Sequence, residues 1–221
     1  MSGSPLKAAI FDLDGVLVDS GAHHRAAWRA LLKELGAEPM DGEFWRLTIG
    51  RPVEEALPVL LDRRLSPEEI ARYGKRKTDL YHRLAGGRFQ PVAGAIAFVR
   101  ALEGRNVPRA LASSSSSRSV TAALRGLGLT SQFPVVVTAE DVERGKPDPE
   151  VYLAAASGLR VGPPACAVFE DSLVGVEAAR RAGMRPIGLS TAHSAAELSE
   201  AGAVRVLANF EGLTWESIVV G

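Results

Sequence analysis

Cysteine is almost absent from this chain, which has one in 221 residues. Cys166 therefore cannot form an intramolecular disulfide, and its apolar neighbours predict a buried core position. Charge of neither sign is in excess, because 26 lysine and arginine residues balance 26 aspartate and glutamate residues. This balance argues against nucleic acid or a membrane surface as a partner.

Membrane and export signals are also missing. No apolar run approaches the length of a membrane span. Residues 1–5 are polar and lead directly into an apolar run, without the layout of a signal peptide. We therefore expect a cytoplasmic protein with no membrane partner.

Strands are missing from one long segment, residues 21–87. Helix-forming residues around Trp28 have apolar side chains at helical spacing, which predicts a first helix. Ser66-Pro67-Glu68-Glu69 predicts a later helix start with a capping box, and Gly86-Gly87 then breaks the chain. An ordinary crossover between two strands is much shorter, so the segment predicts an all-helical insert.

The rest of the chain alternates apolar runs with helical segments, which is typical of a parallel sheet with helices on both faces. We predict an α/β fold with a Rossmann-like core, residues 1–20 and 88–221, and an inserted all-helical cap domain, residues 21–87. The predicted strands cover residues 8–11, 107–112, 135–137, 165–169, 186–189 and 204–207.

Two aspartates follow the first predicted strand, and ligands of parallel sheets bind beyond the carboxyl ends of the strands. Asp12 and Asp14 are two residues apart, so both carboxylates can reach the same small volume. Gly15 lets the backbone turn sharply there. Two neighbouring carboxylates repel each other unless a cation or a shared proton is present. The pair alone is compatible with a metal site, an acid/base pair or two solvated turn residues.

Polar residues also follow the next three strands. Five serines, residues 113–117, lead into a helix, where they can hold an oxyanion or cap the helix. Lys146 lies in a loop restricted by Pro147, either as part of a site or as a surface lysine. Glu170 and Asp171 form a second acidic pair, for which the alternative is a helix N-cap.

The four strand ends together indicate one kind of site. The carboxylates of Asp12, Glu170 and Asp171 suit an oxygen-ligated divalent cation, for which Mg²⁺ is the best candidate. Lys146 offsets the surplus negative charge and can contact both a phosphoryl oxygen and a nucleophile. We therefore predict a Mg²⁺ ion beside a phosphoryl group.

These motifs resemble those of the haloacid dehalogenase superfamily. The resemblance rests on Asp12-Leu13-Asp14-Gly15, on Ser113 at a strand end, on Lys146 within Gly-Lys-Pro-Asp-Pro, and on Glu170-Asp171-Ser172 with Gly175. Within the superfamily the chain is most similar to the β-phosphoglucomutase-like and sugar-phosphatase group, and the helical insert resembles the cap of that family.

The resemblance implies an aspartyl-phosphate mechanism. Asp12 is the expected nucleophile, and Asp14 is expected to protonate the leaving alkoxide and then to deprotonate water. Family members that cleave carbon–halogen or carbon–phosphorus bonds generally lack an aspartate at the second position, so Asp14 indicates phosphate-ester chemistry. The implied Mg²⁺ ligands are Asp12, the Asp14 carbonyl, Glu170 and Asp171, and the implied phosphoryl contacts are Ser113, the Ser114 N–H and Lys146.

Residues of the insert give evidence about the kind of substrate. His24 with Trp28 resembles the cap helix of β-phosphoglucomutases, where the matching histidine positions the acid/base aspartate; Trp28 is otherwise expected in the core of the insert. Lys77 falls where those enzymes carry a sugar-contacting lysine. Some sugar-phosphate phosphatases share the histidine and the tryptophan, so these residues do not separate the two activities.

A departure from the mutase pattern favours a phosphatase. Mutases typically carry an arginine three residues after the cap-loop glycine, whereas Gly50 is followed by Arg51 and, at the third position, Val53. Valine cannot replace an arginine in binding a second phosphate. We therefore predict a Mg²⁺-dependent phosphatase for a small phosphorylated metabolite, in particular a sugar phosphate.

Two alternatives to the phosphatase remain, and the one with more support is given first. The first is a β-phosphoglucomutase-type mutase. The second is a catalytically silent binding or regulatory member of the fold, which a missing motif residue would mark, and none is missing. The sequence does not distinguish a monomer from a dimer.

Overall fold

The computed structural model describes residues 5–37, 48–51 and 53–219. Residues 1–4 of the predicted polar start and the loop residue Pro52 lie outside the described residues. Apolar residues Ala8–Phe11 form the first strand, and all four are buried.

The strands form one six-stranded parallel sheet. They are β1 (Ala8–Phe11), β2 (Arg109–Ala112), β3 (Val135–Val137), β4 (Cys166–Glu170), β5 (Arg185–Leu189) and β6 (Arg205–Leu207). Their order in the sheet is β3-β2-β1-β4-β5-β6, so β1 lies in the centre between β2 and β4. The predicted α/β fold with a parallel sheet is confirmed.

Helices connect the strands. They are α1 (Gly21–Glu34), α2 (Val53–Leu60), α3 (Pro67–Ala85), α4 (Ala95–Gly104), α5 (Ser117–Leu127), α6 (Glu150–Leu159), α7 (Leu173–Arg181), α8 (Ala195–Glu200) and α9 (Trp215–Val219). Short 3₁₀ turns cover Ala139–Asp141 and Pro163–Ala165. None of the helices in the described ranges combines the length and the apolar character that crossing a membrane requires.

Alternate residues of the central strands face opposite layers of helices. Phe11 of β1 and its register partner Phe169 of β4 stack, with ring centroids 4.8 Å apart, in the apolar cluster on one face. Ile10 and Val168 belong to the cluster on the other face, together with the buried Cys166. This alternation follows from the two-residue period of a strand.

Strand limits differ from the prediction in β2, β4, β5 and β6, by one or two residues. β2 begins at Arg109 and not at residue 107, because the Val107 N–H bonds to the Leu102 carbonyl and Pro108 has no N–H to donate. β4 extends to Glu170, which continues the parallel register opposite Gly188 of β5. Glu170 is therefore the last residue of its strand and does not follow it.

Helices α1–α3, here called the helical insert, share an apolar cluster of their own. Trp28 is 2% exposed and packs there with Leu31, Leu57 and Leu80, as expected for a core residue of the insert. The capping box at the start of α3 is present, with Ser66 and Glu69 bonding to each other's backbone N–H. The domain boundaries at residues 20–21 and 87–88 stay predictions.

The stacked ring of Phe11 is expected to be a main support of the sheet. Phe11→Ala should lower the free energy of unfolding by about 3–5 kcal/mol, because the substitution leaves a cavity between buried rings. Chemical denaturation measures the loss. Val204→Ala is the control, since Val204 is 63% exposed, and it should change stability by less than about 0.5 kcal/mol. A loss below about 1 kcal/mol for Phe11→Ala would contradict this prediction.

Candidate active site

The carboxyl ends of the strands meet at a cavity of about 160 Å³ beneath the helical insert. Asp12 after β1, Ser113 after β2, Lys146 from the loop after β3 and Asp171 after β4 all line it. The parallel arrangement explains this convergence, because all the strands end at the same edge of the sheet. The structure therefore brings the four predicted strand ends together.

Lys146 is the charged centre of this edge and is only 1% exposed. Its Nζ donates to Asp12 Oδ1 and to Glu170 Oε1, each at 2.7 Å. Burial favours the neutral amine, but the Asp12 and Glu170 carboxylates outweigh it and hold the pKa of Lys146 well above its ordinary value. The lysine is thus a buried ammonium and not a surface residue.

Glu170 is held by donors on both of its carboxylate oxygens. Oε1 accepts from the Tyr152 hydroxyl at 2.8 Å as well as from Lys146, and Oε2 accepts from the N–H and the hydroxyl of Ser172 at 2.7 and 2.9 Å. Burial opposes ionisation, but Lys146 and these donors hold the pKa of Glu170 below its ordinary value. Its side chain lies behind Lys146 and does not line the cavity, so Asp171 is the fourth-strand carboxylate that does.

Asp12 and Asp171 bring surplus negative charge to the cavity. Burial raises the pKa of Asp12 to about 7, in spite of the opposing attraction of Lys146. Burial and the neighbouring carboxylates hold the pKa of Asp171 well above its ordinary value. Two buried carboxylates that resist ionisation next to each other are stabilised by a bound cation.

The donor set fits Mg²⁺ in particular. No group of three His, Cys, Asp or Glu side chains in the described part of the chain has the spacing of a closed metal cage. Mg²⁺ does not need one, because it is usually bound by one or two carboxylates together with water and substrate phosphate. Asp12 and Asp171 offer the two carboxylates, and the turn at Asp14 offers a backbone carbonyl.

The serines of this run cap a helix and line the cavity. Ser116 is the N-cap of α5 and accepts from the Ser119 N–H at 3.4 Å, so helix capping uses this serine. Ser113 and Ser114 line the cavity, and Ser113 Oγ accepts from the Ser115 N–H at 3.0 Å. The start of a helix that faces the cavity is a suitable place for an anion.

Asp14 is held across the boundary between core and insert. Its Oδ1 lies 3.0 Å from His24 Nε2 on α1, and its Oδ2 accepts from the Ser115 hydroxyl at 2.8 Å. Burial opposes ionisation, but His24 and the hydroxyls of Ser20 and Ser115 hold the pKa of Asp14 well below its ordinary value. In this arrangement Asp14 carries the ionised, proton-accepting form.

Lys77 determines which nitrogen of His24 carries the proton. Lys77 Nζ lies 2.8 Å from His24 Nδ1 and, as an ammonium, can only donate. Nδ1 is therefore the acceptor, and Nε2 carries the hydrogen that is donated to Asp14. Burial and the nearby Lys77 charge lower the pKa of His24, which favours this neutral imidazole. The Tyr81 ring stacks on His24 with centroids 4.3 Å apart.

The remaining predicted residues of the insert also line the cavity. Gly50 has φ +70°, and a Cβ there would collide with the side chain of Ser172, so glycine permits the close approach of this loop to the core. Arg51 is exposed at the rim. Val53, the position at which the mutase pattern predicts an arginine, lines the cavity.

Sequence reasoning missed several site residues. Ser115 lay within the serine run but was given no role, and Tyr81 follows Lys77 by one turn of α3. Tyr152 lies inside α6, where no strand-end signal could identify it. Thr191 follows β5 and lines the cavity, so the rule applied to the first four strands could have found it.

The parallel sheet and the carboxylates, lysine and serines at its edge define a phosphoric monoester hydrolase. The chain belongs to the haloacid dehalogenase-like hydrolases, whose family model matches residues 6–183. The predicted family and enzyme class are therefore confirmed.

Individual relatives agree with this assignment. The chain is 36% identical over 203 residues to validoxylamine A 7'-phosphate phosphatase of Streptomyces hygroscopicus subsp. limoneus, covering 88% of this chain and 91% of the relative. It is 34% identical over 205 residues to a phosphorylated carbohydrates phosphatase of Thermotoga maritima, covering 91% and 94%. The crystal structure of a β-phosphoglucomutase from Clostridium difficile matches with a TM-score of 0.85 and 29% identity, over 96% of this chain and 95% of that chain.

Removal of the buried ammonium should be costly in the metal-free protein. Lys146→Met leaves Asp12 and Glu170 without their counter-charge, and we expect a loss of about 3–5 kcal/mol in the free energy of unfolding. Denaturation in the presence of EDTA measures the loss.

Lys75→Met is the matched control, because the Lys75 side chain is 77% exposed and its pair with Asp79 is a surface pair. It should change stability by less than about 1 kcal/mol. Equal losses in the free energy of unfolding for the two substitutions would contradict a stabilising role of the Lys146 charge.

Proposed function

We propose that this protein is a Mg²⁺-dependent phosphatase that hydrolyses a small phosphorylated metabolite, in particular a sugar phosphate, through an aspartyl-phosphate intermediate. The observation that carries the proposal is the position of Asp12 on the cavity, bonded to Lys146 through one oxygen. Two relatives support the substrate class, since their names describe phosphatases of validoxylamine A 7'-phosphate and of phosphorylated carbohydrates. We propose that it acts in the cytoplasm, without nucleic-acid or membrane partners.

The first half of the reaction transfers the phosphoryl group to Asp12. A carboxylate oxygen of Asp12 forms a bond to phosphorus while the bond from phosphorus to the ester oxygen breaks. Lys146, Ser113 and the Ser114 N–H bind the phosphoryl oxygens. Asp14, once protonated, gives its proton to the leaving alkoxide.

The second half releases phosphate. Asp14, now ionised, takes a proton from water while the water oxygen attacks phosphorus, and the bond to the Asp12 oxygen breaks. The contacts of Asp14 with His24 and Ser115, which hold its pKa well below its ordinary value, support its role as the base of this second step. The acid step requires Asp14 to take up one proton first, which burial favours and which the contacts with His24, Ser20 and Ser115 oppose.

When bound, Mg²⁺ would neutralise negative charge on the carboxylates and on the phosphoryl group. We propose Asp12, the Asp14 carbonyl and Asp171 as its protein ligands. Glu170 stays a predicted ligand, but its oxygens already accept four hydrogen bonds, which favours a role in holding Lys146.

The mutase is the less favoured alternative, because Val53 offers no charge for a second phosphate. The two activities are separated by incubating the protein with a panel of sugar phosphates and Mg²⁺, and by measuring free phosphate and isomers in the same samples. A phosphatase releases stoichiometric phosphate, whereas a mutase forms an isomer, needs a bisphosphate activator and releases little phosphate. Activity on neither assay would favour the catalytically silent member of the fold.

Loss of the nucleophile should abolish turnover. Asp12→Ala is expected to release no phosphate above background in the presence of Mg²⁺, measured with p-nitrophenyl phosphate and with the best sugar phosphate. Circular dichroism checks that the variant is folded. Mg²⁺-dependent release by a clean, folded preparation would contradict the nucleophile assignment.

Lys77 offers a test of the acid/base arrangement. Lys77→Met removes the donor that fixes the His24 tautomer, and we expect kcat to fall about tenfold, below the 10²–10⁴ that general acid–base catalysis contributes. KM should stay within about twofold if Lys77 acts through His24. Lys75→Met, on the exposed side of the same helix, is the control. A rise in KM with kcat unchanged would instead support the predicted sugar contact by Lys77.

A further inference from the structure

The loop after β5 carries two polar side chains, Thr191 and His193, that the mechanism above does not use. Both contact the residues of the proposed metal site and not the phosphoryl site. We propose that Thr191 and His193 are positioning residues that hold Asp171 in the orientation needed for binding Mg²⁺. This inference rests on the proposed function, because it assigns supports to the metal site of that function.

Thr191 joins the first and the fourth strand ends. Its hydroxyl lies 2.6 Å from the Gly15 carbonyl oxygen and 3.3 Å from Asp171 Oδ2, and its single hydrogen can be donated to either acceptor. Gly15 has φ +74°, and a Cβ on it would collide with the Asp171 carboxylate. The Gly15 turn, the Asp171 carboxylate and the Thr191 hydroxyl are therefore in close contact, and movement of one displaces the others.

His193 holds the backbone of the same aspartate. The imidazole is 7% exposed, and its Nδ1 lies 3.0 Å from the Asp171 carbonyl oxygen. A carbonyl can only accept, so Nδ1 carries the hydrogen of this bond. One loop thus contacts Asp171 at its backbone through His193 and at its side chain through Thr191.

These contacts matter because Asp171 is buried and surrounded by like charge. Asp171 is 6% exposed, follows Glu170 directly in the chain and lines the same cavity as Asp12 and Asp14. Neighbouring carboxylates repel one another, so contacts that fix the position of Asp171 oppose this repulsion. Hydrogen-bond partners of metal ligands typically contribute 10–100-fold to metal affinity or activity.

The experiment measures Mg²⁺ binding to the full-length protein without substrate, by isothermal titration calorimetry. Thr191→Val keeps the shape and removes the hydroxyl, whereas Thr191→Ser keeps the hydroxyl. His193→Leu removes the donor, whereas the amide of His193→Asn can replace the Nδ1–H. We expect Kd for Mg²⁺ to rise about tenfold for the valine and leucine variants, and to stay within about twofold for the serine and asparagine variants.

Asp171→Asn separates failure of this inference from failure of the metal site. If Asp171→Asn binds Mg²⁺ as tightly as the wild type, the proposed metal site is wrong. If Asp171→Asn loses binding but Thr191→Val and His193→Leu bind as the wild type does, the positioning role is overturned. Thermal unfolding in EDTA checks the fold of each variant, and the two Thr191 variants decide the question if His193→Leu does not fold.

Discussion

The site depends on one buried ammonium. Lys146 lies between the Asp12 and Glu170 carboxylates, and without its charge the edge of the sheet would collect several carboxylates with little compensation. Such a concentration of buried charge is strongly unfavourable unless it is paired. Lys146 supplies the compensating charge. Tyr152 and Ser172 donate further hydrogen bonds to Glu170. The arrangement of the candidate active site therefore depends on an ion pair inside the protein.

The sequence predicted the parallel sheet and the edge at which the site forms. Strand-end residues could be recognised because parallel strands end at one edge of the sheet. No long-range contact had to be known to identify Asp12, Ser113, Lys146 and Asp171 as candidates. The limits of the strands were less predictable. Glu170 belongs to β4 only because it continues a register with β5, which a single sequence does not display.

Contacts between distant side chains could not be predicted from local pattern. Tyr152 lies on a helix whose apolar residues predict packing, and nothing in its neighbours indicates a bond to Glu170. The sugar contact of Lys77 stays a prediction, and the structure adds a contact with His24 that the sequence did not indicate. The helical spacing places Lys77 on α3, but only the packing of α3 on α1 brings the two side chains within hydrogen-bond distance.

The bond between His24 and Asp14 crosses from the helical insert to the core, so the electrostatic environment of a core carboxylate depends on residues of the insert. His24 is in turn bonded to Lys77 on α3, and two helices of the insert therefore reach Asp14 through one imidazole. Asp12 differs in this respect, because it is bonded to Lys146, a residue of the core. A change in how the insert packs on the core would thus alter the surroundings of Asp14 and leave the Asp12–Lys146 pair in place.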